Sequence, residues 1–458
     1  MKKRRLFSFL TSILLTFGFA EAQSLETFLA AVKNNPAIQA NASLVAAAQA
    51  QLDAVYSPVS ATLQGNYTGA SYTLPDGIPD EVADNLPDQS GGFSIGATFR
   101  PFVFGDLADL AEQRRIALEQ AKLTYQQTLA DLEAQALEAA ANLQLAQTSL
   151  VLAQTGREIA GASLDSTRLR FERGAASEAE VRAAEERLRG AENQIQNAEA
   201  GVSLARQGLQ LLVGEATLEV LPTLPLIEGT PPDVKQAEFN ILLANLGIGS
   251  SNRAFIPTAQ ASVAFPLDDE KSEVNLSIES RTLQPTVTYK YDNPKGSVGQ
   301  VPIPRIDEFP ELGADEINVV YSIGVSATIS VEQFNNLDAA NAQLAAAQAG
   351  LIGAQDRANL TALTLSNTYQ TALRGLELAK LTLSNAESTL GEARAREEAG
   401  LAVSLETDQA TLAVEQANLS VFTAEIDVLK AILETYRTYA QPVSETLEPA
   451  SSPSEESQ

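Results

Sequence analysis

One set of charged residues occurs twice around two glycines. Arg168, Arg170, Glu172, Gly174, Ala176 and Glu180 return 226 residues later as Arg394, Arg396, Glu398, Gly400, Ala402 and Glu406, and Asp408 follows. Carboxylates held close around an opening repel one another, bind cations and control ion passage. Glu180, Glu406 and Asp408 are therefore candidates for a narrow acidic entrance that forms when several copies meet. Arg168, Arg170, Arg394 and Arg396 precede the glycines and are candidates for salt bridges that lock it. One exposed pair is worth only ~0–1 kcal/mol, so a lock needs several. The same acids suit solvated helix starts, where negative charge complements the macrodipole. The glycines suit helix ends that need positive φ.

Other chemistry is excluded by residue type. The chain has no cysteine and no histidine. Disulfides, thiolate metal sites, zinc sites built on histidine and histidine-dependent triads are all ruled out. No phosphate-binding loop is present either. The expectation is no enzyme, no cofactor and no metal site. The net charge of −27 makes nucleic acid an unsuitable partner. Such a charge keeps a surface soluble and biases a pore toward cations.

The charged groups lie between long heptad seams. Before Gly174 the seam runs Leu129, Leu132, Ala136, Ala139, Leu143, Ala146, Leu150 and Ala153. After it come Ala184, Leu188, Ala191, Ile195, Ala198, Val202 and Ala205, and both seams recur around Gly400. A sustained seven-residue spacing keeps one stripe facing a partner and imposes a left-handed supercoil. The spacing predicts two antiparallel helical hairpins, with Gly174 and Gly400 at their tips. The descending helices, about Asp106–Phe171 and Asn336–Glu398, reach ~100 Å at ~1.5 Å per residue. The returning helices reach about Val213 and Tyr439 and are too short alone. The opening helices, about Ser24–Tyr56 with Pro36 marking a break and Pro232–Arg253, make up the difference. Half of the seam is alanine, so one hairpin buries little apolar area and calls for neighbours on both sides.

Between opening and descending helices lie alternating segments. Val59, Ala61, Leu63, Gly65 and Tyr67 oppose Ser60, Thr62, Gln64, Asn66 and Thr68. Phe93, Ile95, Ala97 and Phe99 share one face of the next strand. Ala259, Ala261, Val263 and Phe265 repeat the pattern, as do Ile317, Val319, Tyr321, Ile323, Val325, Ala327 and Ile329. Apolar-out, polar-in strands of ~9–11 residues suit a membrane barrel, which must close because open edges cannot sit in lipid. Four strands per chain are too few to enclose a channel, and three chains supply twelve. A soluble β-sandwich also alternates. A further alternating pair, Val274, Leu276, Ile278 and Val287, Tyr289, Tyr291, has no counterpart in the first repeat and no evident place in or outside a barrel.

Residues 1–22 read as an export signal: Lys2, Lys3, Arg4 and Arg5, an apolar stretch from Leu6 to Ala20, then Ala20-Glu21-Ala22. That stretch is shorter than the ~20 residues a spanning helix needs. The expected organisation is a first repeat at 23–214, a linker at 215–231, a second repeat at 232–440 and a disordered acidic tail at 441–458.

The order helix, strand, strand, long helix, glycine tip, return helix, given twice, resembles the TolC-type outer-membrane efflux proteins. Phe99-Arg100-Pro101-Phe102-Val103-Phe104-Gly105-Asp106 carries local likeness at the strand-to-helix corner. Pro232-Asp233-Val234-Lys235-Gln236-Ala237-Glu238 carries it where the second repeat opens. Phe171 with Gly174, and Gly400-Leu401-Ala402-Val403-Ser404-Leu405-Glu406, resemble the family's tips. The resemblance implies a homotrimeric α+β membrane protein. Its twelve-stranded barrel would sit in outer-membrane lipid, continuous with a periplasmic coiled-coil tunnel. It also implies docking of the tips, Gly174, Ala176, Gly400 and Ala402, with a periplasmic adaptor and an inner-membrane pump. The second tip departs from the first by placing Glu397 at the position of Phe171.

The expected function is the passive exit duct of a tripartite system that exports small toxic compounds. The outer-membrane duct of a type I protein secretion system is the alternative, and an exported structural coiled-coil stalk is a second.

Overall fold

The computed structural model describes residues 25–69, 89–267, 272–292, 319–327, 329–399 and 404–447. The signal at 1–22, most of the loop after the first strand, Ile317, Thr328, Gly400 and Ala402 lie outside them. The elements run α1 (Leu25–Val32), α2 (Pro36–Val55), β1 (Val59–Gly69), β2 (Gln89–Phe99), α3 (Asp106–Glu172) and α4 (Glu178–Val213). The second repeat runs α5 (Pro232–Arg253), β3 (Thr258–Pro266), β4 (Ser272–Glu279), β5 (Pro285–Asp292), β6 (Val320–Ser326), α6 (Val331–Glu398), α7 (Ser404–Tyr439) and α8 (Val443–Leu447). The internal duplication is thus present element by element, with β4 and β5 added to the second copy.

Pro36 divides the opening helix as expected. It lacks an amide hydrogen and suits the first position of α2. Asn35 caps that start, its Oδ1 accepting from the Ala37 amide at 3.0 Å. The descending helices α3 and α6 span 67 and 68 residues, while α4 and α7 each span 36. Threonines along them return their hydroxyls to carbonyls four residues back, as Thr364, Thr368, Thr382 and Thr389 do in α6. A polar hydroxyl is thereby accommodated without breaking the ladder. Helix α6 starts five residues earlier than the heptad indicates, because Ser330 and Gln333 form a capping box.

The chain divides into two compact units. One comprises residues up to Leu44, Lys122–Lys235 and those from Ile352 onward. Its core gathers Phe28, Leu29 and Val32 of α1, Leu129 and Leu137 of α3, and Ile426, Leu433 and Tyr436 of α7. The linker is packed rather than free: Leu218 and Leu224 are buried there, and Gln144 Nε2 donates to the carbonyls of Leu218 and Glu219. Of the expected disordered tail at 441–458, residues 441–447 are described. Helix α8 occupies part of it, and Val443 is fully buried in the same core. One apolar side chain at Val443 and the bond from the Ser444 amide to Glu133 Oε2, 3.0 Å, hold the segment down.

The other unit comprises Val45–Ala121 and Gln236–Leu351. All six strands form one antiparallel sheet in the order β1-β2-β5-β4-β3-β6. The four expected strands are β1, β2, β3 and β6. The pair that the sequence leaves unplaced lies between β2 and β3. Among the described residues, no helix is long and apolar enough to cross a membrane.

Candidate functional site

At the first tip α3 ends at Glu172 and Gly174 takes φ 72°. Only a residue without Cβ enters that region freely, which explains the glycine. Ser177 then caps α4. Its hydroxyl accepts from the Glu180 amide at 3.3 Å, while Glu180 Oε2 accepts from the Ser177 amide at 2.6 Å. Those bonds hold the Glu180 carboxyl below its usual range, chiefly through the Ser177 amide. Arg168 pairs with Glu185 at 2.7 Å, and Arg170 donates to the carbonyl of Ala175 at 3.3 Å. Neither of these arginines forms its hydrogen bond with Glu180.

The second tip is wired differently. Arg396 Nη1 donates to Glu406 Oε1 at 2.6 Å across the hairpin. The reason is legible by adding 226: Ser177 corresponds to Val403, which has no hydroxyl to offer as a cap acceptor. Glu406 is therefore paired with arginine where Glu180 closes a capping box. Asp408 corresponds to Arg182, which is paired with Glu178 at 3.4 Å. Burial, then the charge of Glu397, raises the Asp408 carboxyl above its usual range. Among the described residues Arg394 has no ion-pair partner. Leu390, Ala393 and Ala410 close the seam beside this tip, with Val414 against them.

The seven candidate charges therefore do not form two equal clusters. The second tip joins Arg396 to Glu406 and sets Asp408 beside Glu397. The first tip spends Glu180 on local structure. Ser177 and Glu185 escape a reading based on repeated charges alone, although the S-x-x-E spacing is a capping signal in itself.

The sheet has two faces throughout. In register, Leu63 faces Ile95, Ile95 faces Tyr289, Tyr289 faces Val274, Val274 faces Phe265, and Val263 faces Tyr321. Several of these apolar side chains are open, Leu63 at 75% and Tyr321 at 79% exposure. The opposite face carries Thr62, Ser94, Thr98, Thr286, Thr288, Asn275, Ser262 and Ser322. Ser262 and Ser322 meet at 2.7 Å, and Thr98 and Thr286 at 3.1 Å. A sheet that is apolar across one whole face and hydroxyl-rich across the other is the pattern of a lipid-bounded, water-lined wall.

The family model for outer membrane efflux proteins matches residues 29–215. Over those residues the chain resembles an outer membrane efflux protein. The fold extends the likeness over both repeats. The chain is similar to CusC at 15% identity and TM-score 0.59, covering 91% of this chain and 92% of that one. It is similar to the outer membrane protein VceC of Vibrio cholerae at 15% identity and TM-score 0.60, covering 91% and 96%. It is also similar to the MtrE outer membrane channel of Neisseria gonorrhoeae, captured in an open state, at 16% identity and TM-score 0.58, covering 91% and 89%. No curated protein matches the sequence. CusC forms a transmembrane channel, and MtrE is an outer membrane channel. The fold is α+β, with long helical hairpins and one sheet in duplicated order.

Proposed function

We propose that this protein is the outer-membrane exit duct of a tripartite system that exports small toxic compounds. Three copies close one barrel in the outer membrane and one helical tunnel in the periplasm. The observation that carries the reading is the sheet's continuous apolar face, exposed in the single chain and backed by hydroxyls and amides. Lipid satisfies the first face and a water-filled lumen the second. The edges β1 and β6 then require pairing, because unpaired backbone groups cost several kcal/mol each in hydrocarbon. The tips dock with a periplasmic adaptor, which connects the duct to an inner-membrane pump. The duct itself is passive, and the narrowing lies at the second tip, where Glu397 acts on Asp408 and Arg396 holds Glu406.

The test is deletion of the gene in its native host, followed by dye and antibiotic accumulation and analysis of the secreted proteins. Raised accumulation with an unchanged set of secreted proteins supports the proposal. Loss of one secreted protein with unchanged accumulation assigns the duct to protein secretion. Recovery of the protein outside the outer-membrane fraction overturns both.

A further inference from the structure

The hairpin β4–β5 is the one part of the sheet that the duplication does not account for. It is bonded along both sides. Thr286 to Asp292 of β5 pair with Thr98 to Gly92 of β2, and Glu273 to Glu279 of β4 pair with Pro266 to Gln260 of β3. β2 and β3 therefore do not touch. The hairpin matches its neighbours face for face: Phe93 stacks on Tyr291 at 5.4 Å on the apolar side, and Thr98 meets Thr286 on the polar side. Its turn is seated at the start of α3. Arg281 lies 4.0 Å from Asp106, and a Cβ on Gly105, φ 58°, would fall 1.9 Å from the Arg281 carbonyl oxygen. An appended flap would leave one flank unpaired and would not need a glycine beneath its turn.

From this we infer that each copy contributes six wall strands, so that three copies close an eighteen-stranded barrel through β6 of one copy pairing with β1 of the next. This rests on the trimeric reading above. Adding strands as an antiparallel pair preserves the alternation of direction around the ring. β1 and β6 also run in opposite directions, so the closing pair is antiparallel. With strands ~4.8 Å apart and tilted ~40°, eighteen strands give a backbone radius of ~18 Å, against ~12 Å for twelve. The enclosed cross-section roughly doubles, since barrel diameter grows about linearly with strand number. The added wall also brings Glu273, Glu279, Asn275 and Lys290 to the polar face. The outer-membrane exit is thus wider and more charged than the four repeat-derived strands alone would make it.

The chain has no native cysteine, so engineered pairs report contact without background. Three double variants are made in the full-length protein: Thr98→Cys with Thr286→Cys, Ser262→Cys with Ser277→Cys, and Ser262→Cys with Ser322→Cys as a control inside the repeat-derived sheet. Each is oxidised in membranes and then purified. Native mass spectrometry gives the copy number, and electron cryomicroscopy in lipid nanodiscs gives the barrel diameter. Trimers in which all three pairs close, with a backbone diameter ~1.5 times that of a twelve-stranded barrel, support the inference. Trimers in which only the control pair closes, or with the twelve-strand diameter, overturn it and leave the trimeric duct standing. A copy number other than three overturns the duct's architecture and this inference with it.

Discussion

Arg396 and Glu406 are joined at 2.6 Å across the second tip, whereas their counterparts Arg170 and Glu180 each bond elsewhere. The duplicated tips have therefore divided their tasks. The first is locally capped and bridged by Arg168 and Glu185, and the second is bridged by Arg396 and Glu406.

Arg396→Ala should loosen the duct and Arg170→Ala should not. The exposed pair is worth at most ~1 kcal/mol, which corresponds to a change of up to about fivefold in the open population. Single-channel recording in planar bilayers measures it. Replacing Glu406 and Asp408 together with alanine should raise conductance and weaken block by divalent cations, while Glu133→Ala changes neither. Equal behaviour of the Arg170 and Arg396 variants would refute the division of tasks.

Ser177→Ala should act on structure and leave conduction alone. Loss of the cap costs ~1 kcal/mol, with a range of ~0.5–2. Faster hydrogen exchange confined to the start of α4, with unchanged cation block, is the expected result. A shift in block would place Glu180 at the pore after all.

Cation block should depend on pH through Asp408. Burial and Glu397 raise its carboxyl, so on acidification it takes up a proton earlier than an ordinary aspartate, near ~3.9. Negative charge at the tip then falls with Asp408. Block should fade in that higher range, and Asp408→Asn should abolish the step. Glu180→Gln should leave it intact, because Glu180 is shifted the opposite way. An identical titration of block in the Asp408→Asn protein would remove Asp408 from the entrance.

Glu133 is fully buried and accepts from the Ser444 amide, and burial raises its carboxyl above the usual range. Between its unfolded and folded pKa values the folded state holds a proton that the unfolded state lacks, so stability increases as pH falls through that window. Protection of Val443–Leu447 from exchange should therefore grow on mild acidification. Glu133→Gln should show that protection at every pH. A flat profile in the parent protein would contradict the assignment.

Ile323→Arg should prevent stable insertion, and Ser322→Arg should be tolerated. A lipid-facing arginine costs ~2–4 kcal/mol near the bilayer midplane, whereas a lumen-facing one stays hydrated. Outer-membrane yield and heat-stable oligomer on gels report the difference. The reverse order would invert the two faces of the sheet.

Most of the architecture is legible in periodicity. The three-and-four step of α3 and α6 and the alternation of β1, β2 and β6 are strong because each element buries or exposes one face along its whole length. The hairpin β4–β5 shows its alternation plainly, yet its place depends on pairing with β2, far away in sequence, which no local pattern states. The tips are the reverse case. Equal spacing makes Glu180 and Glu406 look equivalent, and a neighbouring residue, Ser177 against Val403, sets them apart. At the C-terminus, composition describes the residues in bulk, while the fold depends on a single side chain, Val443, entering the core.

The bare backbone at Gly105 limits how this sheet can be altered by design or by inheritance. The carbonyl of Arg281 occupies the volume that any side chain at residue 105 would need. The hairpin and that glycine therefore travel as one module. A transplant of residues 272–292 into another scaffold needs a glycine at the receiving corner, and a chimera with alanine there should lose the graft before it loses the host.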